Sequence, residues 1–211
     1  MAANGDVELP APTGRKAQAA ATRRRMMEAA CRVFSAQGYG KTTMNAIAVE
    51  ANVAVQTLYF TFHTKQALLQ AAYEFAVLGP DPIPPHLSDW WRSVEADPNV
   101  GTAVASLVEG NLEVFRRAAP LVWAVHTDPD AHDVYRFNEN LRREGFLILV
   151  EVLAAKHPLR PGLTRPHARD ILSTLLGPPT YMLLTSESGW TIDEYRSWTI
   201  AAVLRELFDF R

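Results

Sequence analysis

Three groups of residues in this 211-residue chain have types and spacings that bear on chemistry. The densest is His126-Thr127-Asp128-Pro129-Asp130-Ala131-His132-Asp133, two histidines and three carboxylates in eight residues, a set able to ligate a metal. Yet Pro129 places its first half in a loop. The second half reads as a helix entry, where Asp is favoured for capping and for the helix dipole. No Gly-x-Ser-x-Gly elbow, His-Glu-x-x-His pair or glycine-rich phosphate loop accompanies it. The expectation is therefore no enzyme, no cofactor and no metal. The alternative is an all-helical metal- or ligand-binding enzyme working through 126–133.

The second group is Val55-Gln56-Thr57 with Tyr59. Gln56 can pair bidentately with an adenine edge, and Val55 and Thr57 can meet a thymine methyl or a phosphate. The third is a set of aromatic and polar residues spread through the second half: Phe115, Trp123, His126, Tyr135, Phe137, Asn138, Phe146, Tyr181 and Met182. Between bundle helices such residues line small-molecule pockets, although each alone is as readily ordinary core.

The elements that must position the second group lie between Thr42 and Leu69. Met44, Ile47, Ala48 and Ala51 fall at i, i+3, i+4 and i+7, which predicts a helix over 43–51. Thr42 or Thr43 can cap it, and Asn52 can turn the chain in the left-handed conformation. A second helix over 54–60 puts Leu58 inward with Val53, against Ile47, and leaves Val55, Gln56, Thr57 and Tyr59 outside. Thr64 caps a third from Lys65, with Leu68, Leu69, Ala72, Phe75 and Ala76 buried. Two short helices across a tight turn make a helix-turn-helix, whose second helix fits the DNA major groove.

Thr57-Leu58-Tyr59, Phe62, Lys65 and Leu68, preceded by Arg25-Met26-Met27-Glu28-Ala29-Ala30 to Phe34, Gln37-Gly38-Tyr39 and Thr42-Thr43, resemble the tetracycline-repressor (TetR) family of bacterial regulators over residues 20 to 72. The resemblance implies that Thr42 or Thr43, Tyr59, His63 and Lys65 sit on the phosphate backbone, which fixes register without reading sequence. It also implies a homodimer made by the last two helices, and a small-molecule effector. Two positions depart from the family: Asn52 stands where Gly is usual and Ala54 where Ser is usual. Ala54 removes a cap and a hydroxyl.

The distribution of charge agrees with a DNA reader. Residues 1–70 carry eight Lys/Arg against four Asp/Glu, whereas the remainder is acidic within a net charge of −2. Cys31 is the only cysteine, so no intrachain disulfide is possible, and its helical position predicts a buried, inert thiol. No apolar run reaches a membrane-spanning length, and the N-terminus lacks an apolar signal region, so the expected location is cytoplasmic with no membrane partner.

Four parts follow: a disordered basic tail over 1–16, a helix-turn-helix domain over 17–78, a linker over 79–86 with four prolines in six positions, and a helical body over 87–211. Arg23, Arg24 and Arg25 open the first helix as phosphate contacts or as a solvated face. In the body, Pro120 is expected to break a helix begun near Asn99. Gly177-Pro178-Pro179 should kink the helix capped by Thr164, and Thr191 with Glu194 should box the last one, to Phe210. That last helix is apolar nearly all round, which calls for burial on two sides. The dimer candidates are Leu172, Leu176, Tyr195, Trp198, Ala202 and Leu204; the other reading is a central core helix. The expected fold is all-α, with a helix-turn-helix head and a bundle for ligand binding and dimerisation. The expected partners are double-stranded DNA, a small-molecule effector and a second copy.

Overall fold

Residues 26, 29, 30, 33 and 34 share one helical face, and the apolar stripe they form is what the first helix buries. In the structure, a computed structural model that describes residues 14–80 and 82–210, this is α1 (Arg15–Gln37), with Met26, Ala29, Ala30, Val33 and Phe34 buried. The expected tail lies outside the described residues up to 13, and α1 already includes Arg15 and Lys16. Gly38 ends it at φ 76°, a conformation that favours glycine, with its N–H on the Phe34 carbonyl.

The next three helices are α2 (Met44–Glu50), α3 (Val55–Phe62) and α4 (Lys65–Leu78). Thr43 Oγ1 accepts from the Ala46 N–H at 3.1 Å and Thr64 Oγ1 from the Ala67 N–H at 3.0 Å, so both hydroxyl caps form. Ala54 offers no side-chain cap to α3. Asn52 reverses the chain at φ 53° and His63 at φ 63°. Met26, Phe34, Ile47, Leu58, Leu68 and Leu69 are almost fully sealed in one core. Cys31 packs at its edge, with its thiol on the Ala72 carbonyl, and burial pushes that thiol up to about 12.

The body begins with α5 (Asp89–Ala96) and α6 (Val100–His126). The expected break at Pro120 does not occur; α6 runs through it. Pro120 faces solvent, so its ring and the carbonyl it orphans meet water, while buried Ala118, Ala119, Leu121 and Val122 pin both flanks. A single 3-10 turn (Pro129–Ala131) leads into α7 (His132–Lys156). Thr164 caps α8 (Arg165–Leu175), and Gly177-Pro178-Pro179 ends that helix instead of kinking it. The chain restarts as α9 (Pro178–Met182), followed by a π-helical turn (Leu183–Glu187). The Thr191–Glu194 capping box opens α10 (Ile192–Leu207). This helix stops three residues short of the expected Phe210, because Phe208 turns extended and bridges Leu159.

Among the described residues the only pairing outside helices and turns is that isolated bridge, and the architecture is all-α: a helix-turn-helix head on a helical body. The two parts are not separated by the proline segment. The head core continues through Ala118, Leu121, Val122 and Val125 of α6 to Ala131 and Val134, and the body core gathers Leu107, Leu112, Phe115, Leu149, Leu153, Leu172 and Tyr195.

Two predictions follow from this packing. A Cβ at Gly110 would stand 2.2 Å from the Trp90 ring near its attachment, so Gly110→Ala should destabilise by about 1–3 kcal/mol in urea unfolding, against the usual gain of Ala in a helix. Cys31 in the native protein should react with a disulfide reagent at pH 8 roughly a hundred-fold or more slower than in urea, since its thiolate is suppressed by burial.

Candidate nucleic-acid interface

Leu58 and Phe62 anchor α3 in the head core, and this sets which residues face out. Gln56 and Thr57 are exposed, Tyr59 is 49% exposed and Phe60 is 84% exposed. Val55 is half-buried against the core, so it presents less than expected. Phe60 was not among the sequence candidates, although it is out of phase with buried Leu58 and Phe62. It stands four residues beyond Gln56, on the same side of the helix. An aromatic ring without apolar cover here is the face's largest unpartnered group. Val49, 73% exposed at the end of α2, is a smaller one.

The first half of α1 runs beside this face. Arg15, Gln18, Arg23 and Met26 line a cleft of about 550 Å³ with Thr57 and Thr61 of α3. Arg23 lies over the Phe62 ring at 4.6 Å, a cation–π contact that keeps its charge near the recognition helix. Arg24 is engaged with Glu28 at 2.9 Å and Arg32 with Glu50 at 2.7 Å, both at the surface. The arginine run is thus split, with Arg23 at the groove, Arg24 in a solvated pair and Arg25 on the Thr22 hydroxyl.

Two of the expected phosphate contacts have other work. Thr42 is buried and its hydroxyl donates to the Gly38 carbonyl at 2.7 Å, so the exposed threonine of the pair is Thr43. Lys65 turns inward: its Nζ donates to the carbonyls of Tyr39 at 2.8 Å and Thr42 at 3.1 Å, and lies 4.1 Å above the Tyr39 ring. Two of its three donors are spent on the α1–α2 turn. Tyr59 and His63 remain at the surface.

The aromatic set does not converge on one pocket. Phe115, Phe146 and Tyr181 are sealed in the body core, with Phe115 and Tyr181 ring to ring at 5.1 Å and Met182 half-buried beside them. Trp123, His126 and Tyr135 stack in a separate file near the head, at 6.3 Å and 4.7 Å. Asn138 is bound to Gln70 of α4, and Phe137 projects to solvent, 55% exposed. A shallow cleft of about 370 Å³ between α4 and α7 takes in Phe137 with Gln70 and Asp133, and none of the other eight. Helix register separates these residues: neighbours in sequence fall on opposite faces of α6 and α7.

The dimer candidates divide in the same way. Leu172, Leu176, Tyr195 and Ala202 have no exposed surface within the single chain. Trp198 and Leu204 are half-buried, with Ile171, Leu175 and exposed Ala201 on the outer side of α8 and α10. The histidines and carboxylates of 126–133 do not converge on one site. His126 stacks on Tyr135, Asp128 bonds to backbone, and among the described residues no three His, Cys, Asp or Glu side chains are grouped to hold a metal.

This geometry defines a helix-turn-helix protein: a sealed core holding an outward helix of polar and aromatic residues, flanked by arginine. Residues 26–72 match the model for the bacterial regulatory proteins of the tetR family. The head is therefore similar to the DNA-binding region of that family. No curated protein matches. Among solved structures it is similar to NalD, the secondary repressor of the MexAB-OprM multidrug efflux pump in Pseudomonas aeruginosa, at TM-score 0.68 and 19% identity over 92% of this chain and 100% of that one. A TetR-like transcriptional regulator from Rhodococcus sp. RHA1 follows at 0.65 and 16%, over 93% and 97%. A regulator from Saccharomonospora viridis in complex with choline gives 0.63 and 18%, over 90% and 98%. At these identities the likeness speaks to the fold.

Because Lys65 ties α4 to the turn, Lys65→Ala should lower the unfolding free energy by about 1.5–3 kcal/mol, the scale of hydrogen bonds to a charged group. A lysine serving only phosphate would leave the urea midpoint of the free protein unchanged.

Proposed function

We propose that the chain is a cytoplasmic, ligand-responsive transcriptional repressor: a homodimer that reads a near-palindromic operator and leaves it when a small molecule binds. The observation that carries the reading is the outward face of α3, where Gln56, Tyr59 and Phe60 stand free while Leu58 and Phe62 hold the helix rigidly from behind. Gln56 supplies a bidentate donor–acceptor pair for adenine and Phe60 an apolar surface for a thymine methyl. Tyr59, Thr43 and His63 supply backbone contacts, and Arg15 and Arg23 neutralise phosphate beside them.

Two further features support the finer reading. The half-buried apolar residues on the outer side of α8 and α10 fit a second copy related by a two-fold, which would present two α3 helices to half-sites about 34–36 Å apart or a multiple of this. One protein of similar fold is described as a repressor, and another as a choline complex; both accord with repression and a small-molecule effector. An effector acts only through a higher affinity for the released conformation, and coupling of about 1–3 kcal/mol is typical. The enzyme alternative rested on 126–133, where among the described residues no three His, Cys, Asp or Glu side chains are grouped to hold a metal.

Selection of bound duplexes from a random pool should return an inverted repeat. Gln56→Ala should relax the preference at one base pair per half-site by roughly 1–3 kcal/mol, and Phe60→Ala at a thymine. Leu204→Glu should give monomers in sedimentation that no longer hold the repeat. An unselective pool, or a monomer that binds tightly, would refute the reading.

A further inference from the structure

Asp128, at the end of α6, reaches across 88 residues of sequence to the head. Its Oδ2 accepts from the Gly40 N–H at 2.7 Å, and its Oδ1 accepts from the Asp130 N–H at 3.0 Å, which orders the 3-10 turn below it. The fit is close: a Cβ on Gly40 would lie 3.4 Å from Asp130 Oδ2 and 3.5 Å from Asp128 Oδ2, and one on Gly38 would lie 3.5 Å from Asp128 Oδ2. Two body carboxylates therefore sit directly over the α1–α2 turn. Tyr39 in that turn has its hydroxyl held above the usual range by burial and then by the charges of Asp130 and Asp128.

From the other side the same turn is gripped by Lys65, through the carbonyls of Tyr39 and Thr42. The turn is thus clamped between an anion of the body and a cation of α4, and it feeds straight into α2. From α2 the position passes to α3 through Ile47 and Leu58, both fully buried in the head core. The remaining contacts between head and body include apolar packing of α1 and α4 on α6, which is attractive but non-directional. Arg117 on the α4 carbonyls of Ala76 and Val77, and Asn138 on Gln70, fasten α4. The Asp128–Gly40 bond is the directed contact at the entrance to the reading pair.

We propose that Asp128 is a positioning residue for DNA reading: it ties the end of α6 to the α1–α2 turn and so sets where the body holds the α2–α3 pair. The proposal rests on the DNA-reading function above and adds the contact through which a shift of α6 reaches the recognition helix. It also gives Asp128 and Asp130, two of the three carboxylates in 126–133, a place against the head.

The test uses the full chain with Asp128→Ala, Asp128→Asn and Asp128→Ser. Asn retains one oxygen acceptor of the same reach, enough for one of the two N–H groups, because its NH2 cannot accept; Ser keeps a short acceptor for the Asp130 N–H but falls short of Gly40, and so replaces Ala should that variant unsettle the turn. Two quantities are read: affinity for the duplex selected by the wild-type protein, and hydrogen exchange of the 38–43 amides in the free protein. Ala and Ser should weaken the duplex roughly ten-fold or more and speed exchange at Gly40 by a similar factor, the scale of one hydrogen bond to a charged group. Asn should fall between these variants and the wild type, with its affinity following its Gly40 exchange. Wild-type affinity with unchanged exchange in the Ala and Ser variants overturns the proposal, as does an Asn variant with wild-type exchange at Gly40 and affinity as weak as Ala. If the wild type selects no duplex, the DNA reading fails instead, and exchange at Gly40 still decides whether the bond holds the turn.

Discussion

The 27 residues of α6 lie in two cores at once. Val104, Leu107, Val108, Leu112 and Phe115 close the body, while Ala118, Leu121, Val122 and Val125 close the head. Close-packed interiors transmit displacement instead of absorbing it, so a helix shared between two of them makes each core feel the other. The head then behaves as an extension of the body, despite the proline-rich chain that joins them. That arrangement depends on α6 staying continuous through Pro120, which it does because the proline faces water.

Polar contacts add direction to this packing. Many of the ion pairs lie at the surface, such as Arg24–Glu28, Arg32–Glu50 and Arg165–Glu151, and exposed pairs of this kind contribute little to stability. Arg142 differs. It is mostly buried, forks onto both oxygens of Glu139, donates to the Ser173 and Leu176 carbonyls where α8 ends, and lies 5.0 Å from the Phe146 ring centre. One guanidinium thereby satisfies the orphan carbonyls of a helix terminus and locks α7 to α8. Glu139 in turn faces Tyr73 of α4, whose hydroxyl is raised chiefly by burial and then by that carboxylate. The head helix α4 is linked in this way to α8, one of the two helices on whose outer side a second copy would dock.

The recognition face shows how one short helix serves two demands. Leu58 and Phe62 must be buried to hold α3 still. The chemistry is left to the residues between and beyond them. Lys65 illustrates the competition for such residues. Its position at the first turn of α4 suits an anion, yet two backbone carbonyls and an aromatic face lie within reach and draw the ammonium inward.

What the sequence alone determined is local or periodic. The spacing of Met44, Ile47 and Ala48, the threonine caps and the run Thr57-Leu58-Tyr59 specified the head, since caps and helical stripes are encoded within one turn of chain. Glycine at 38 and the Thr191–Glu194 box marked helix ends for the same reason. Only tertiary structure decided the rest. Pro120 could be judged a break only until its solvent exposure was known. That Leu172, Leu176, Tyr195 and Ala202 are buried within the single chain could not be read locally, because an apolar face does not say whether its partner is the same chain or another. The aromatics of the body fell into separate groups, because which of them meet depends on how α6, α7 and α9 rotate against one another. Asp128 could be read as a ligand or a cap until the fold brought Gly40 to it, since a contact spanning 88 residues leaves no local signal.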